Sequence, residues 1–243
     1  QTGQGYGIQD LRKPRFMDHA PWITGLEEKI RRHNIKKGGK MIFWVPQHSE
    51  PRWKSYVVET TQPVLTPQQC DDLIRIGQSE PQVKGKTSMN DTVLEKYRKS
   101  TISWIPINKE EAIPLYQIIK KWMETTNNNH FGFNTVHMTE QGQYAEYSEG
   151  GFYDWHMDSS VGMSEMPPVR KISMTLLLSD PEEFEGGDLE LFCGDRFNSK
   201  KNTFRLKRGY AVFFASFILH KVPTVTKGNR KSLVMWFGGT PLR

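Results

Sequence analysis

Apolar and polar residues alternate with two different periods along this chain, and the period changes near residue 133. In the first part, two segments carry apolar residues at helical spacing. Thr66–Gly77 opens with an N-capping Thr and Pro67 and closes at a Gly, which are typical limits of a helix. Lys109–Thr126 places apolar residues on one face, namely Ile113, Tyr116, Ile119 and Met123. Strands are predicted at 55–60 and 100–105.

From Phe133 onward, short apolar runs are separated by turns rich in Gly, Pro and Asp. The predicted strands are 134–140, 142–147, 170–178, 188–193, 203–206, 210–214 and 232–237. A helical first part followed by many short strands implies a mainly β fold, a β-sandwich or jelly roll with buttressing helices. Residues 55–243 are expected to form this single domain.

The net charge of +6 is unevenly distributed along the chain. Residues 1–54 contain 11 Lys and Arg against 5 Asp and Glu, whereas the remainder contains 22 of each. Residues 1–54 are therefore interpreted as a basic N-terminal extension. Such an extension is either a solvated arm or one that recruits an acidic partner such as RNA.

Other bulk features concern the compartment. No run approaches the roughly 20 apolar residues of a membrane span, and no signal sequence opens the chain. The two cysteines, Cys70 and Cys193, have neither metal-binding nor redox spacing and cannot form a disulfide framework. We expect a cytoplasmic protein without a membrane partner.

The most informative motif is His156-Met-Asp158, read together with His220. Two imidazoles and one carboxylate can hold a non-haem Fe(II) ion and leave coordination positions open for substrate and O₂. Positions i and i+2 of a strand face the same side, so His156 and Asp158 are predicted to share one strand. His220 is predicted to come from a strand of the facing sheet.

Arg230 follows His220 by ten residues and is predicted at the start of strand Ser232–Phe237. Its planar guanidinium stays charged and can bind a carboxylate through two hydrogen bonds. Lys231 would point to the opposite side of the strand. Together with the two histidines and Asp158, Arg230 suggests an iron oxygenase that also binds a small dicarboxylate.

Three segments, 147–158, 170–190 and 209–238, resemble the Fe(II)- and 2-oxoglutarate-dependent dioxygenases. Within that family they most resemble the prolyl hydroxylase branch, notably its bacterial and phage-type PKHD hydroxylases. The resemblance covers roughly residues 55–240 and is most specific over 144–238. It implies a double-stranded β-helix core, the jelly-roll or cupin-like fold.

The resemblance also implies roles for individual residues. It makes His156, Asp158 and His220 the iron ligands and Arg230 the partner of the distal carboxylate of 2-oxoglutarate. The residues expected to line the cosubstrate pocket are Tyr147, Thr175 and Trp236. Thr175 marks a departure, because some prolyl hydroxylases carry a Tyr on that strand. The residues expected to contact substrate are Arg170 and Tyr153.

The implied activity couples oxidative decarboxylation of 2-oxoglutarate by O₂ to hydroxylation of a prolyl residue in a protein or peptide, with ascorbate as an accessory reductant. One alternative keeps this chemistry for a free amino acid, another side chain or alkylated nucleic acid. Nucleic-acid repair members usually place a second Arg six residues after the first, where this chain has Trp236. Another alternative is a jelly-roll binding module without catalysis.

Overall fold

The computed structural model describes residues 8–9, 55–85, 96–159, 167–193 and 201–241. Most of the basic extension therefore lies outside the described residues. The described residues contain two α-helices, α1 (Pro67–Ser79) and α2 (Ile113–Thr126). The strands, in chain order, are β1 (Ile8–Gln9), β2 (Val57–Thr60), β3 (Val83–Lys84), β4 (Arg98–Lys99), β5 (Thr101–Ile105), β6 (His137–Met138), β7 (Gly142–Ser148), β8 (Phe152–His156), β9 (Val169–Leu177), β10 (Phe184–Gly186), β11 (Leu189–Phe192), β12 (Lys201–Phe204), β13 (Ala211–Ala215), β14 (His220–Val222) and β15 (Val225–Gly239).

The strands form two antiparallel sheets. The major sheet has ten strands in the order β1-β2-β13-β9-β15-β7-β5-β3, with β6 and β10 also paired to β15. The minor sheet has five strands in the order β12-β11-β14-β8-β4. One hydrophobic cluster contains residues of both sheets, so the sheets face each other across it. This is the predicted jelly-roll architecture.

The helices cover the outer face of the major sheet. A second hydrophobic cluster joins buried residues of both helices to alternate residues of the major-sheet strands. On β9, Ile172, Met174 and Leu176 belong to this outer cluster, whereas Leu177 belongs to the cluster between the sheets. Because side chains alternate along a strand, Ser173 and Thr175 also face the space between the sheets. The buttressing helices are therefore confirmed.

Helix α1 begins as predicted but continues beyond its expected end. Thr66 and Gln69 form a capping box, in which each side chain accepts from the other residue's backbone N–H, at 3.3 and 2.9 Å. The helix runs through Gly77 to Ser79. A Cβ atom at Gly77 would lie 2.4 Å from Cγ of Tyr144 on β7. Gly77 thus permits close contact between helix and sheet and does not terminate the helix.

Helix α2 is shorter than predicted, because it begins at Ile113 and not at Lys109. Pro114 occupies its first turn, where the missing N–H has no helical partner to lose. Its buried face includes Tyr116, Ile119 and Met123, as expected, but Ile113 is exposed. The predicted stripe is therefore correct except at its first position.

Several strand limits also differ from prediction. The last strand, β15, has 15 residues and not six, because it pairs with β6, β7, β9 and β10 in turn. The segment expected at 134–140 pairs only through His137–Met138. Strand β14 was predicted only as the strand that carries His220, without limits, since its three residues are too few to show a period.

Candidate active site

Three of the predicted site residues lie together, two on the minor sheet and Asp158 just beyond its strand β8. His156 ends β8, and His220, which begins β14, is its direct partner across the two strands. Asp158 Oδ1 lies 3.8 Å from His156 Nε2, and Asp158 Oδ2 lies 3.5 Å from His220 Nε2. The triad, defined as His156, Asp158 and His220, has its possible donor atoms within 4.8 Å of one another. It could therefore hold one metal ion.

Two details of this placement correct the sequence-based expectation. His220 lies on the same sheet as His156, not on the facing one, because β8 and β14 are neighbours. Asp158 lies beyond the end of β8, so strand alternation does not orient it. Instead, the backbone N–H groups of Asp158 and Ser159 donate to the carbonyl oxygen of Ser216 at 2.9 and 3.0 Å.

Both imidazoles present the same nitrogen to the centre of the triad. Nδ1 of His156 is 2.7 Å from the carbonyl oxygen of Asp154, and Nδ1 of His220 is 2.9 Å from that of Ile218. Because a carbonyl only accepts, each Nδ1 carries a proton, and in a neutral imidazole Nε2 then keeps a free lone pair. Burial, followed by the neighbouring His220, lowers the pKa of His156 to about 3. His156 is therefore neutral at physiological pH, as a metal ligand must be.

The carboxylate of Asp158 is buried and ionised. Burial raises its pKa, but the two histidines and the hydroxyl of Ser173 outweigh this effect and hold the pKa below its ordinary value. Ser173 donates to Asp158 Oδ2 at 2.6 Å. Neutral nitrogen donors with one carboxylate oxygen form the donor set that suits Fe(II). The chemistry of the triad thus fits the expected metal.

Arg230 lies inside β15, not at the start of a strand, and is only 2% exposed. It is paired with Tyr147 of β7 across the sheet, with its guanidinium 5.6 Å from the Tyr147 ring centroid. Its Nη1 donates to Ser232 Oγ at 3.0 Å. Burial lowers the pKa of Arg230, but a guanidinium remains charged. No carboxylate in the described ranges forms an ion pair with it, so the site suits an anionic ligand.

A cavity of 310 Å³ opens between the two sheets beside the triad. Most of the predicted site residues border it, namely the triad with Tyr147, Tyr153, Arg170, Thr175 and Trp236. Arg230 does not border the cavity but lies next to Tyr147, which does. The sequence-based set thus converges on one cavity, with Arg230 beside Tyr147 and on the same face of β15 as the wall residues Val234 and Trp236.

Arg170 and Trp236 form one side of this cavity. The Arg170 guanidinium lies over the Trp236 ring, 4.0 Å from its centroid, and pairs with Glu140 through two hydrogen bonds. Trp104 lies beside them, with its ring centroid 5.9 Å from that of Trp236. Nε1 of Trp236 is buried, and the Trp236 side chain lies close enough to Asp158 to help lower the pKa of that carboxyl. This wall therefore presents flat apolar faces beside the carboxylate of the triad.

Arg98 is a cavity residue that the sequence analysis did not select. It is 5% exposed, and its guanidinium lies 4.4 Å from the Tyr153 ring centroid. Its Nε donates to Ser100 Oγ at 2.8 Å, and its Nη2 donates to Gln143 Oε1 at 2.9 Å. Both acceptors are neutral, and among the described residues no carboxylate pairs with it. No sequence signal distinguishes Arg98 from Lys96 and Lys99, since burial alone makes it unusual.

Residues 142–238 match the family model of the 2OG-Fe(II) oxygenase superfamily. This segment contains the triad, Arg230 and most of the cavity wall. A PKHD-type hydroxylase of Pseudomonas fluorescens is 38% identical to the chain over 93 residues, which are 37% of this chain and 39% of the relative. The chain thus spans about two fifths of the length of the curated relatives it matches.

Solved structures extend the likeness in fold. A prolyl-4-hydroxylase of Pseudomonas putida has a TM-score of 0.59 at 21% identity and covers 76% of this chain and 93% of its own. A prolyl hydroxylase of Trichoplax adhaerens, solved with a peptide fragment of hypoxia inducible factor, has a TM-score of 0.61 at 14% identity, covering 91% and 94%. At these identities the likeness shows the shared jelly-roll fold alone.

Neither helix of the described chain is long and apolar enough to cross a membrane.

Proposed function

We propose that this chain is an Fe(II)- and 2-oxoglutarate-dependent dioxygenase that hydroxylates a C–H bond in a prolyl residue of a protein or peptide. The observation that carries the proposal is the pairing of two unlike sites beside one cavity. The triad offers two neutral imidazoles and a carboxylate, and Arg230 offers a buried cation without a carboxylate partner. A metal-chelating dicarboxylate satisfies both.

In this proposal His156, Asp158 and His220 hold the metal. A bound Fe(II) ion supplies the redox chemistry that activates O₂ and decarboxylates 2-oxoglutarate, with ascorbate as an accessory reductant. Arg230 binds the distal carboxylate, and Ser232 fixes the direction of its guanidinium. Tyr147 and Thr175 border the space between Arg230 and the triad and can donate hydroxyl hydrogen bonds to the same molecule. The protein thereby holds the oxidant close to one C–H bond.

The remaining cavity wall accommodates the substrate. The faces of Trp236 and Trp104 are flat and apolar, as a pyrrolidine ring requires. Arg98 supplies an unneutralised cation for a backbone carbonyl or a carboxylate of the substrate, and Arg170 stacks on Trp236. The pKa of Tyr153 is raised to about 12 by burial, so its phenol stays neutral and can donate a hydrogen bond. Prolyl hydroxylases among the related folds support a prolyl substrate.

The proposal is tested by measuring succinate formation from 2-oxoglutarate with Fe(II) and O₂. Proline-containing peptides are compared with the same peptides carrying Ala in place of Pro. We expect turnover that depends on the proline, together with a gain of one oxygen in the peptide. The His156→Ala variant should lose turnover, whereas His137→Ala, an exposed histidine on β6, should retain it.

Other outcomes separate the alternatives. Turnover that persists with the Ala peptides would reject a prolyl substrate and favour a free amino acid or another side chain. Absence of both turnover and metal-dependent 2-oxoglutarate binding would reject the enzyme and leave a jelly-roll binding module.

We also propose that residues 55–243 form the catalytic domain and that residues 1–54 form a basic extension for an acidic partner such as RNA. The extension's charge of +6 supports the second proposal. Removal of residues 1–54 should weaken binding to RNA steeply at low salt, as a filter-binding assay would show. Unchanged affinity would refute the role of the extension.

The cytoplasmic location stays a prediction, to be checked by fractionation of cells that express the full protein.

A further inference from the structure

One buried serine hydroxyl contacts the carboxylate of the triad, and a second contacts the first. Ser173 Oγ donates to Asp158 Oδ2 at 2.6 Å and is also 3.0 Å from Ser216 Oγ. Both serines are fully buried. The sequence analysis selected neither, because a serine inside an apolar strand has no distinctive pattern.

The two serines come from separate elements that are themselves tied together. Ser173 lies in the middle of β9, paired with Phe214 of β13 and Trp236 of β15. Ser216 directly follows β13, and its backbone N–H donates to the Lys171 carbonyl at 3.0 Å. Its own carbonyl accepts from the backbone of Asp158, as described above. The main chain of Asp158 is therefore held by Ser216 and its side chain by Ser173, and these two serines contact each other.

This arrangement makes the two oxygens of the carboxylate unequal. Oδ2 accepts from the Ser173 hydroxyl and also lies 3.5 Å from His220 Nε2, whereas Oδ1 lies 3.8 Å from His156 Nε2. A short hydrogen bond to a charged oxygen is among the stronger ones in proteins. Rotation of the carboxylate would break this bond and leave the buried Ser173 hydroxyl with a poorer acceptor.

We propose that Ser173 is a positioning residue that fixes the rotation of the Asp158 carboxylate through Oδ2, keeps Asp158 a one-oxygen ligand, and so preserves coordination positions for cosubstrate and O₂. The inference rests on the proposed function, because it assumes that the triad binds a divalent metal. Ser216 supports Ser173 through the contact between their two hydroxyls.

The test is Mn²⁺ titration of the purified protein, followed by water-proton relaxation, which counts the waters bound to the ion. We expect Ser173→Ala to weaken Mn²⁺ binding by about 10-fold or more and to reduce the number of bound waters. Ser103→Ala is the matched control, since Ser103 is an equally buried serine of the major sheet whose hydroxyl donates to the Gly77 carbonyl. It should leave both readouts unchanged.

A second pair of variants separates the hydroxyl from packing. The Thr and Val side chains have nearly the same shape, but only Thr keeps the hydroxyl. The Ser173→Thr variant should therefore bind Mn²⁺ about 10-fold more tightly than the Ser173→Val variant. Equal affinities and equal water counts across wild type, Ala, Thr and Val would overturn the positioning role while leaving the proposed function intact. Failure of the wild-type protein to bind Mn²⁺ would overturn both.

Discussion

At the scale of single residues, two arginines in and beside the cavity lack, in the described part of the chain, an oppositely charged partner within hydrogen-bonding distance. Arg98 and Arg230 are buried cations, and among the described residues they contact neutral acceptors and no carboxylate. A buried charge without an opposite charge costs free energy of folding. Such groups are retained where a ligand completes them, so both arginines are best explained by binding.

The lowered pKa of His156 has a consequence for stability. In the unfolded chain this imidazole has its ordinary pKa of 6.5, whereas in the fold the pKa is about 3. Between these values the unfolded state binds a proton that the folded state does not, so acidification favours unfolding. We expect the free energy of unfolding of the metal-free protein to fall as the pH decreases from about 6.5 toward 3.

Urea denaturation at a series of pH values measures this effect. The His156→Gln variant cannot take up that proton and should show a shallower dependence on pH over the same interval. An identical pH dependence in wild type and variant would contradict the prediction.

At the scale of elements, alternation along β9 and β15 separates structural from functional residues. On β15, Leu233, Met235 and Phe237 pack toward the helices, while Val234 and Trp236 border the cavity. The polar or aromatic residues that face the cavity are therefore the ones least constrained by packing on the helices.

Gly77 shows how closely one of these helices must approach. Replacement by Ala should gain up to about 1 kcal/mol of helix propensity. However, the added Cβ would lie within 3 Å of three Tyr144 side-chain atoms, so we expect net destabilisation of about 1–3 kcal/mol. Thermal and urea unfolding measure it, with Gln68→Ala on the exposed side of α1 as the control. An increase in stability would show that Tyr144 moves aside at little cost.

These elements also show how far the sequence predicts the molecule. Periodicity predicts the jelly roll and both helices. The combination of two histidines, one aspartate and one arginine, together with the resemblance, predicts the residues around the cavity. The placement of His220 was wrong because strand order in a sheet depends on long-range pairing, which spacing along the chain does not reveal. Arg98 was missed because a charged residue becomes informative only once its burial is known.

At the scale of the whole molecule, the proposed ligands bring the two sheets together. His156 and His220 belong to the minor sheet, whereas Arg230 belongs to the major sheet. A dicarboxylate that chelates the metal and reaches Arg230 would therefore link the sheets across the cavity. Ligands that bind only the folded state stabilise it, by about 2.7 kcal/mol at 100 times the Kd.

We therefore expect Mn²⁺ and 2-oxoglutarate together to raise the melting temperature by more than the sum of their separate effects. Arg230→Met should abolish the increment due to 2-oxoglutarate but should not destabilise the free protein, since it removes a buried charge without a carboxylate partner. Differential scanning calorimetry measures both quantities, and Lys231→Met, at the adjacent position of β15, is the control. Strictly additive shifts would argue against a shared ligand.

One feature of the triad bears on how this cavity could be redesigned. Each imidazole is oriented by the carbonyl two residues before it in the chain, at Asp154 for His156 and at Ile218 for His220. These carbonyls fix each ring together with two aromatic neighbours, Tyr153 stacked on His156 at 3.5 Å and Phe214 edge-on to His220 at 4.6 Å. Wall residues such as Leu189, Val222 and Val234 can accordingly be exchanged to admit molecules of another shape, while the orientation of the two imidazoles is unchanged.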